Sequence, residues 1–386
     1  MKLQTAFAAV DARHADATSF LKEICGFEGT AVDKAEIDRM ADYITAYAEG
    51  LGFTVARTFF EKCGDFLTVD LNPAATPGGV MLAHMDTVHK KGAFGTPAVR
   101  IEGDRMIGPG VIDCKGGIAV ALLAMQALHE CGYTKNARLL LTSDEEVSNV
   151  LGGEREQEFF RAKTAGFDYA LNCETTEGNE VVVARRGIMR YEVTVKGKGG
   201  HAGIHYFKCC NPVVEVAHKI IALEANSKKG GVTYSCNVIH AGSVSNVIPD
   251  ECRFTVDVRL QTHAQIDEAD RLVREIGQKC FLEGTYSEVK CLGKRPPMER
   301  NAESDALFDH LNAISQRVGL GTLIPVESGG GSDSAYTQAA GVVSLCGLGT
   351  CGEFCHTDRE YAEISSLAKR AKLLVALLLE DEGEEK

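Results

Sequence analysis

An α/β fold is what the sequence predicts: a mainly parallel sheet with helices on both faces, interrupted by a smaller inserted α+β domain with an antiparallel sheet. Three observations predict it. Short β-rich runs alternate with helical patterns through the first half of the chain, the order that builds a helix-covered parallel sheet. After Gly187 the pattern changes to strands of strict alternation, such as Cys252 to Leu260, C-R-F-T-V-D-V-R-L. The first pattern resumes after the break at Arg295-Pro296-Pro297. The expected domains are therefore 1–187 together with 299–386, and an insert at 188–298.

Ile37, Met40, Ile44, Tyr47 and Leu51 recur at three- and four-residue steps, the spacing of an amphipathic helix. β-rich runs follow at Phe53 to Phe60, Phe66 to Leu71 and Gly79 to Ala83. Next come a helix from Gly116 to Cys131, a strand at Leu139 to Thr142, a helix around Glu154 to Lys163 and a strand at Tyr169 to Cys173. In the insert, Met189 to Val195 alternates like Cys252 to Leu260, and helices are expected at Pro212 to Ala225 and Gln265 to Cys280. The last segment reads as a helix at Ser304 to Val318, a strand at Val342 to Gly347 and a final helix from Ile364. The acidic end, Glu380 to Lys386, is expected to fray.

Composition narrows the function. The 386 residues are 45% hydrophobic and 25% charged, the balance of a soluble globular protein of two or three domains. With 41 basic and 54 acidic residues the net charge is −13, which argues against a nucleic-acid or anionic-membrane surface. An anionic substrate then needs a local basic pocket. The longest apolar runs, Ile118 to Met125 and Leu373 to Leu379, have eight and seven residues, where a membrane span needs about 20. Asp11 and Arg13 interrupt the N-terminal apolar patch before a signal-peptide core forms, so the expected location is the cytoplasm. Fourteen scattered cysteines with no C-x-x-C pair read as reduced, mostly buried thiols.

Acids and histidines recur just after the expected strands. These are His84-Met85-Asp86, Asp113 in GPGVIDCKGG, Glu145-Glu146 after LLLTSD and Glu174 after YALNC, with His356 near the C-terminus. Ligands of open α/β sheets bind beyond the carboxyl ends of the strands. Two histidines and several carboxylates converging there suit a divalent metal such as zinc. Each has a plainer reading taken singly. The histidines could make ordinary hydrogen bonds, Glu145-Glu146 could sit at a helix N-terminus, Asp113 could be a turn residue and Glu174 could close a strand. Order and shared position carry the metal reading.

The stretches HMDTV, GPGVIDCKGG, SDEEVSN, NCET, KGKGGHAG, NVIPD, GGGSDS and CHTD cover most of the chain. In their order the sequence resembles metallopeptidase family twenty, the dinuclear zinc exopeptidases and deacylases, and looks closest to its bacterial glutamate carboxypeptidase branch. The resemblance implies two divalent ions, zinc or alternatively cobalt or manganese, held by His84, Asp113, Glu146, Glu174 and His356. Asp113 would bridge; His84 and Glu174 would complete one site, Glu146 and His356 the other. Glu145 matches the general base, and Asp86 the carboxylate that orients His84. A cis peptide at Asp113-Cys114 is implied as well.

The same resemblance makes the insert a lid and dimerisation domain of a homodimer. His201 would reach the partner subunit's site and stabilise the oxyanion, with Asn246 and Arg259 holding the substrate. Arg259 carries a fork suited to a carboxylate, but alternation sets it beside Asp257, so a structural pair is the alternative. The implied activity is hydrolysis of a small peptide or N-acyl amino acid next to a free carboxylate, through a metal-bridged hydroxide. Within the family, glutamate at position 174 goes with carboxypeptidases and deacylases, and aspartate with the tripeptidase and aminopeptidase branch, which is the runner-up. A silent binding protein on this fold would be expected to lack the base or a ligand. A thiol redox protein would need the absent C-x-x-C pair. Cys114, Cys173 and Cys355 adjoin proposed ligands, and strand alternation would turn them away from a metal.

Overall fold

Val80 and Leu82 of the strand Pro77–His84 face one apolar cluster, while Met81 and Ala83 face another. Burial on both sides is the mark of a strand covered by helices above and below. The computed structural model describes residues 1–383, and the chain divides into two compact units. The first takes Met1–Ala184, Arg300–Ser328 and the chain from Ser332 onward; the second takes Arg185–Glu299 and Gly329–Gly331.

In the first unit a six-stranded sheet runs in the order Thr54–Thr58, Phe66–Asp70, Asn136–Thr142, Pro77–His84, Tyr169–Asn172, Val343–Leu345. Pro77–His84 pairs in parallel with both neighbours, and Val343–Leu345 adds in parallel at the edge. Phe66–Asp70 runs antiparallel to both of its neighbours. The sheet is therefore mixed, because the short connection from Thr58 to Phe66 allows only an antiparallel return.

Helices Lys2–Cys25, Lys115–Glu130 and Ile364–Glu382 pack on one another over one face. Lys115–Glu130 lies innermost and is buried nearly all round from Ile118 to Leu128, as a helix hydrophobic on every side must be. Glu154–Thr164 and Ser334–Ala339 cover the other face, where Phe159, Phe160 and Tyr336 meet Phe60, Phe66 and Leu140. Each fully buried leucine or phenylalanine contributes roughly 1.5–3 kcal/mol, so these two layers dominate the unit's stability. A small sheet of Arg100–Glu102, Arg105–Ile107, Gly352–Glu353 and Tyr361–Glu363 flanks them and carries the loop 354–360. The acidic end is helical as far as Glu382, which accepts hydrogen bonds from Lys2 and Thr134. The remainder of the expected fraying, at 384–386, lies outside the described residues.

The second unit is α+β. Its antiparallel sheet runs Thr233–Ala241, Glu251–Leu260, Gly187–Lys196, Tyr286–Arg295, with helices Pro212–Glu224 and Ala264–Gln278 packed against it. Met189, Tyr191, Val193 and Val195 alternate into a core with Phe254, Val256 and Val258. Asn211 caps the first helix through the Val213 N–H, and Pro212 opens it.

Candidate metal centre

His84 ends its strand, opposite Thr142 of the parallel neighbour. Glu145 and Glu146 open a 3-10 turn just past Asn136–Thr142, and Glu174 lies just past Tyr169–Asn172. Three parallel strands thus deliver these side chains at their carboxyl ends. Asp113 comes from the turn ahead of Lys115–Glu130, and the Asp113–Cys114 peptide is cis. His356 sits in the 354–360 loop with φ 64°, as does Phe354, a conformation uncommon outside glycine.

The five side chains converge. His84 Nε2 is 3.0 Å from Asp113 Oδ1 and 3.7 Å from Glu174 Oε1. His356 Nε2 is 3.1 Å from Asp113 Oδ2 and 3.3 Å from Glu146 Oε2. One carboxylate, Asp113, therefore presents each of its oxygens to a different histidine, and each histidine in turn approaches a different glutamate. Beneath them Asp86 is fully buried. Its Oδ1 lies 3.3 Å from His84 Nδ1, and its carboxylate accepts the Glu145 and Glu146 N–H groups at 3.3 and 3.1 Å. Asp86 thus meets the histidine through its backbone carbonyl, at 3.1 Å, as well as its carboxylate, and also pins the turn that carries both glutamates.

Asp86, Asp113, Glu145, Glu146 and Glu174 outnumber the two imidazoles in a largely buried place. Burial and the charge of Asp113 push the Glu146 carboxyl up to about 8. Burial also works against ionising Asp113, yet hydrogen bonds from His356 and His84 hold it well below the usual range. The His356 imidazole is raised to about 11 by its hydrogen bonds to Asp113 and Glu146. Glu146 Oε1 is buried with no hydrogen-bond partner, which is unfavourable for a carboxylate unless a cation satisfies it. Imidazole nitrogens and carboxylate oxygens are the donors that borderline divalent ions take. The residues present fit such ions.

Cys114 stands closer to this cluster than strand alternation implied. Its Sγ, a His84 nitrogen and a Glu174 oxygen lie within 4.8 Å of one another, because Cys114 ends a turn rather than a strand. Burial pushes its thiol well up, and it donates to the Cys173 carbonyl at 3.2 Å. All fourteen cysteines are free thiols.

His201, Asn246 and Arg259 belong to the second unit, whereas the cluster belongs to the first. The exposed His201 accepts the Gly203 and Ile204 N–H groups on Nδ1 at 3.1 and 3.3 Å, which fixes the proton of the neutral ring on Nε2. The Asn246 carbonyl accepts from Ala202 N–H at 2.9 Å. The Arg259 fork grips Asp257, Nε to Oδ1 2.6 Å and Nη2 to Oδ2 3.3 Å, and Arg190 reaches the same carboxylate at 3.4 Å. Sequence reasoning missed the hold of Asp86 on the 145–146 turn. It also missed Asp333, which accepts from Thr142 Oγ1 at 2.5 Å and Asn149 Nδ2 at 2.9 Å behind that turn. The GGGSDS stretch marked Asp333 as part of a motif but gave no sign of its partners.

A profile of peptidase family M20/M25/M40 matches residues 80–380. The chain belongs to this family. Carboxypeptidase G2 of Pseudomonas sp. (strain RS-16) is 29% identical to this M20 chain over 369 residues, 93% of the chain and 88% of that protein. A tripeptidase from Staphylococcus aureus superposes with a TM-score of 0.78 at 19% identity, covering 95% of this chain and 97% of that one. An M20 family metallo-carboxypeptidase from Sulfolobus solfataricus does so with a TM-score of 0.77 at 16% identity, covering 94% and 98%. These two structures share the α/β fold with the M20 chain.

Proposed function

We propose that this M20 chain is a metal-dependent hydrolase cleaving a peptide or N-acyl amide bond next to a free carboxylate. The observation that carries the proposal is the Asp113 carboxylate, with each oxygen turned to a separate histidine, and each of those histidines within 3.7 Å of its own glutamate. His84 and Glu174 would hold one divalent cation, Glu146 and His356 the other, and Asp113 both, with zinc the best match to the donors. Such a pair of ions supplies an acidified water and a polarised scissile carbonyl. Glu145 takes a proton from the attacking water and returns it to the leaving amine. Asp86 keeps His84 and the 145–146 turn in register.

The second unit serves as lid and dimerisation domain, corresponding to 188–298. Its edge strand Thr233–Ala241 exposes Val238 and Ile239, and helix Pro212–Glu224 exposes Val213 and Ile221. An open edge beside apolar side chains favours a partner, and a second copy of the chain is the partner we assign. His201 of that copy offers Nε2–H to the developing oxyanion. Asn246 and Arg259 bind the substrate. Two guanidiniums sharing Asp257 leave net positive charge there for a substrate carboxylate. The name of the carboxypeptidase relative supports this branch, as does Glu174. A tripeptidase or aminopeptidase of the same family is the second reading, the one that the name of the staphylococcal neighbour gives. Free thiols throughout support a cytoplasmic enzyme, and no helix among the described residues is long and apolar enough to cross a membrane.

Hydrolysis of paired substrates tests the reading, each dipeptide or N-acyl amino acid being compared with its carboxamide in the presence of zinc. The free acids should be cleaved and the carboxamides should be poor substrates. Equal cleavage of both contradicts the carboxylate requirement and moves the aminopeptidase reading ahead.

A further inference from the structure

Glu360 and His89 make a buried pair that the reaction chemistry does not use. Glu360 is fully buried and His89 nearly so, and His89 Nε2 stands 2.6 Å from Glu360 Oε2. The other oxygen, Oε1, accepts the backbone N–H groups of Ile112 at 2.9 Å and Asp113 at 3.3 Å. The Glu360 carbonyl accepts the Gly108 N–H at 3.4 Å. His89 packs edge-on against Phe94, ring centres 4.9 Å apart, which limits the imidazole's orientations.

We propose that Glu360, held by His89, is a positioning residue for Asp113. The inference rests on the metal-centre reading above. Asp113 lies in a turn with no sheet ladder to hold it, so its N–H and that of Ile112 need another acceptor. The Glu360 carboxylate supplies it, and hydrogen bonds to an ionised acceptor are roughly twice as strong as neutral ones. The same side chain ties together three segments, and each carries a proposed ligand. His89 follows His84 at the end of its strand, Ile112 precedes Asp113, and Glu360 itself follows His356 in the loop 354–360. A shift of Asp113 is felt on both of its oxygens at once. Metal ligands sit within narrow distance limits, so loosening this clamp weakens both sites.

Five forms of the chain test this: wild type, Glu360→Ala, Glu360→Gln, His89→Phe and, as reference, Asp113→Asn. The readouts are zinc affinity by chelator competition, the visible spectrum of the cobalt-loaded protein, and kcat and KM separately. Glu360→Ala should lose about 10–100-fold in metal affinity, the range for partners that orient ligands. It should also shift the cobalt spectrum and lower kcat more than it raises KM. Glu360→Gln keeps an oxygen for the two N–H groups and should restore most of the affinity. If Glu360→Ala does not fold, His89→Phe carries the test, since it keeps an aromatic ring against Phe94 and removes the hydrogen bond to Glu360. It should weaken zinc by about tenfold. Folded Glu360 and His89 variants with wild-type affinity and cobalt spectrum overturn the positioning role, even where melting temperature falls. If Asp113→Asn loses metal in that case, the metal centre stands without it. A wild type that binds no metal overturns both.

Discussion

Glu145 and Glu146 are neighbours on one turn, yet they are assigned different work. Glu146 faces His356 at 3.3 Å and keeps a buried oxygen with no hydrogen-bond partner, which leaves Glu145 as the carboxylate of the pair to serve as base. Glu145→Gln should therefore lower kcat by about 10²–10⁴-fold and leave metal content near wild type. Glu146→Gln should lower metal content itself. Metal loss in the first variant with retention in the second exchanges the two roles. Residues of this kind were legible in the sequence because chemistry-bearing types stand at or just past strand ends, as His84, Glu145 and Glu174 do. Glu360, His89 and Asp333 were not, since a buried acid looks like a surface acid until its tertiary partners are known. Cys114 shows the limit of alternation arguments, which hold only where the backbone is a strand.

Among elements, Lys115–Glu130 couples fold and site most closely. A Cβ on Gly117 would stand 1.9 Å from the Cys173 carbonyl oxygen, so this glycine lets the helix pass beneath the strand end that carries Glu174. Gly117→Ala should destabilise the protein by about 1–3 kcal/mol despite the better helix propensity of alanine, about 1 kcal/mol, measured as a lower urea midpoint. In the second unit Asp270 accepts from Tyr191 at 2.6 Å and from Arg274 and Lys294 at 2.8 Å each. Partial burial works against its ionisation, but the hydrogen bonds from Arg274, Lys294 and Tyr191 hold its carboxyl well below the ordinary range. A depressed carboxyl stabilises the fold fully above about pH 4, and that stability is lost as the pH falls through the folded value. Asp270→Asn should thus be less stable than wild type at pH 7, with the gap closing in acid titration monitored by circular dichroism. A gap that widens below pH 4 contradicts the sign. Strong periodicity made the central helices readable. Lys2–Cys25 escaped notice because its buried face includes alanines, Ala6, Ala9 and Ala17, which carry little hydrophobic contrast. Thr233–Ala241 and Tyr286–Arg295 escaped as edge strands with much of their length exposed.

At the scale of the whole molecule, the change of pattern after Gly187 falls within a few residues of Arg185, where the second compact unit begins. Gly329–Gly331 joins that unit from far along the chain, its carbonyls accepting from Arg185 and Arg259, a pairing no local pattern reveals. The mixed sheet was also hidden, since strand direction depends on connections that sequence alone leaves open. The dimer proposal predicts complementation. In mixed dimers of Glu145→Gln and His201→Ala chains, one site should carry both lesions and the other neither, leaving about half the wild-type activity per dimer. Near-zero activity in isolated mixed dimers contradicts a histidine acting across subunits. The central claim is the paired metal centre, and anomalous diffraction at the zinc edge from zinc-saturated crystals tests it most directly. Two peaks per chain should stand about 3.5–4 Å apart, both bound by Asp113, with His84 and Glu174 on one and Glu146 and His356 on the other. A zinc-saturated chain with no peak within bonding distance of Asp113 contradicts the account.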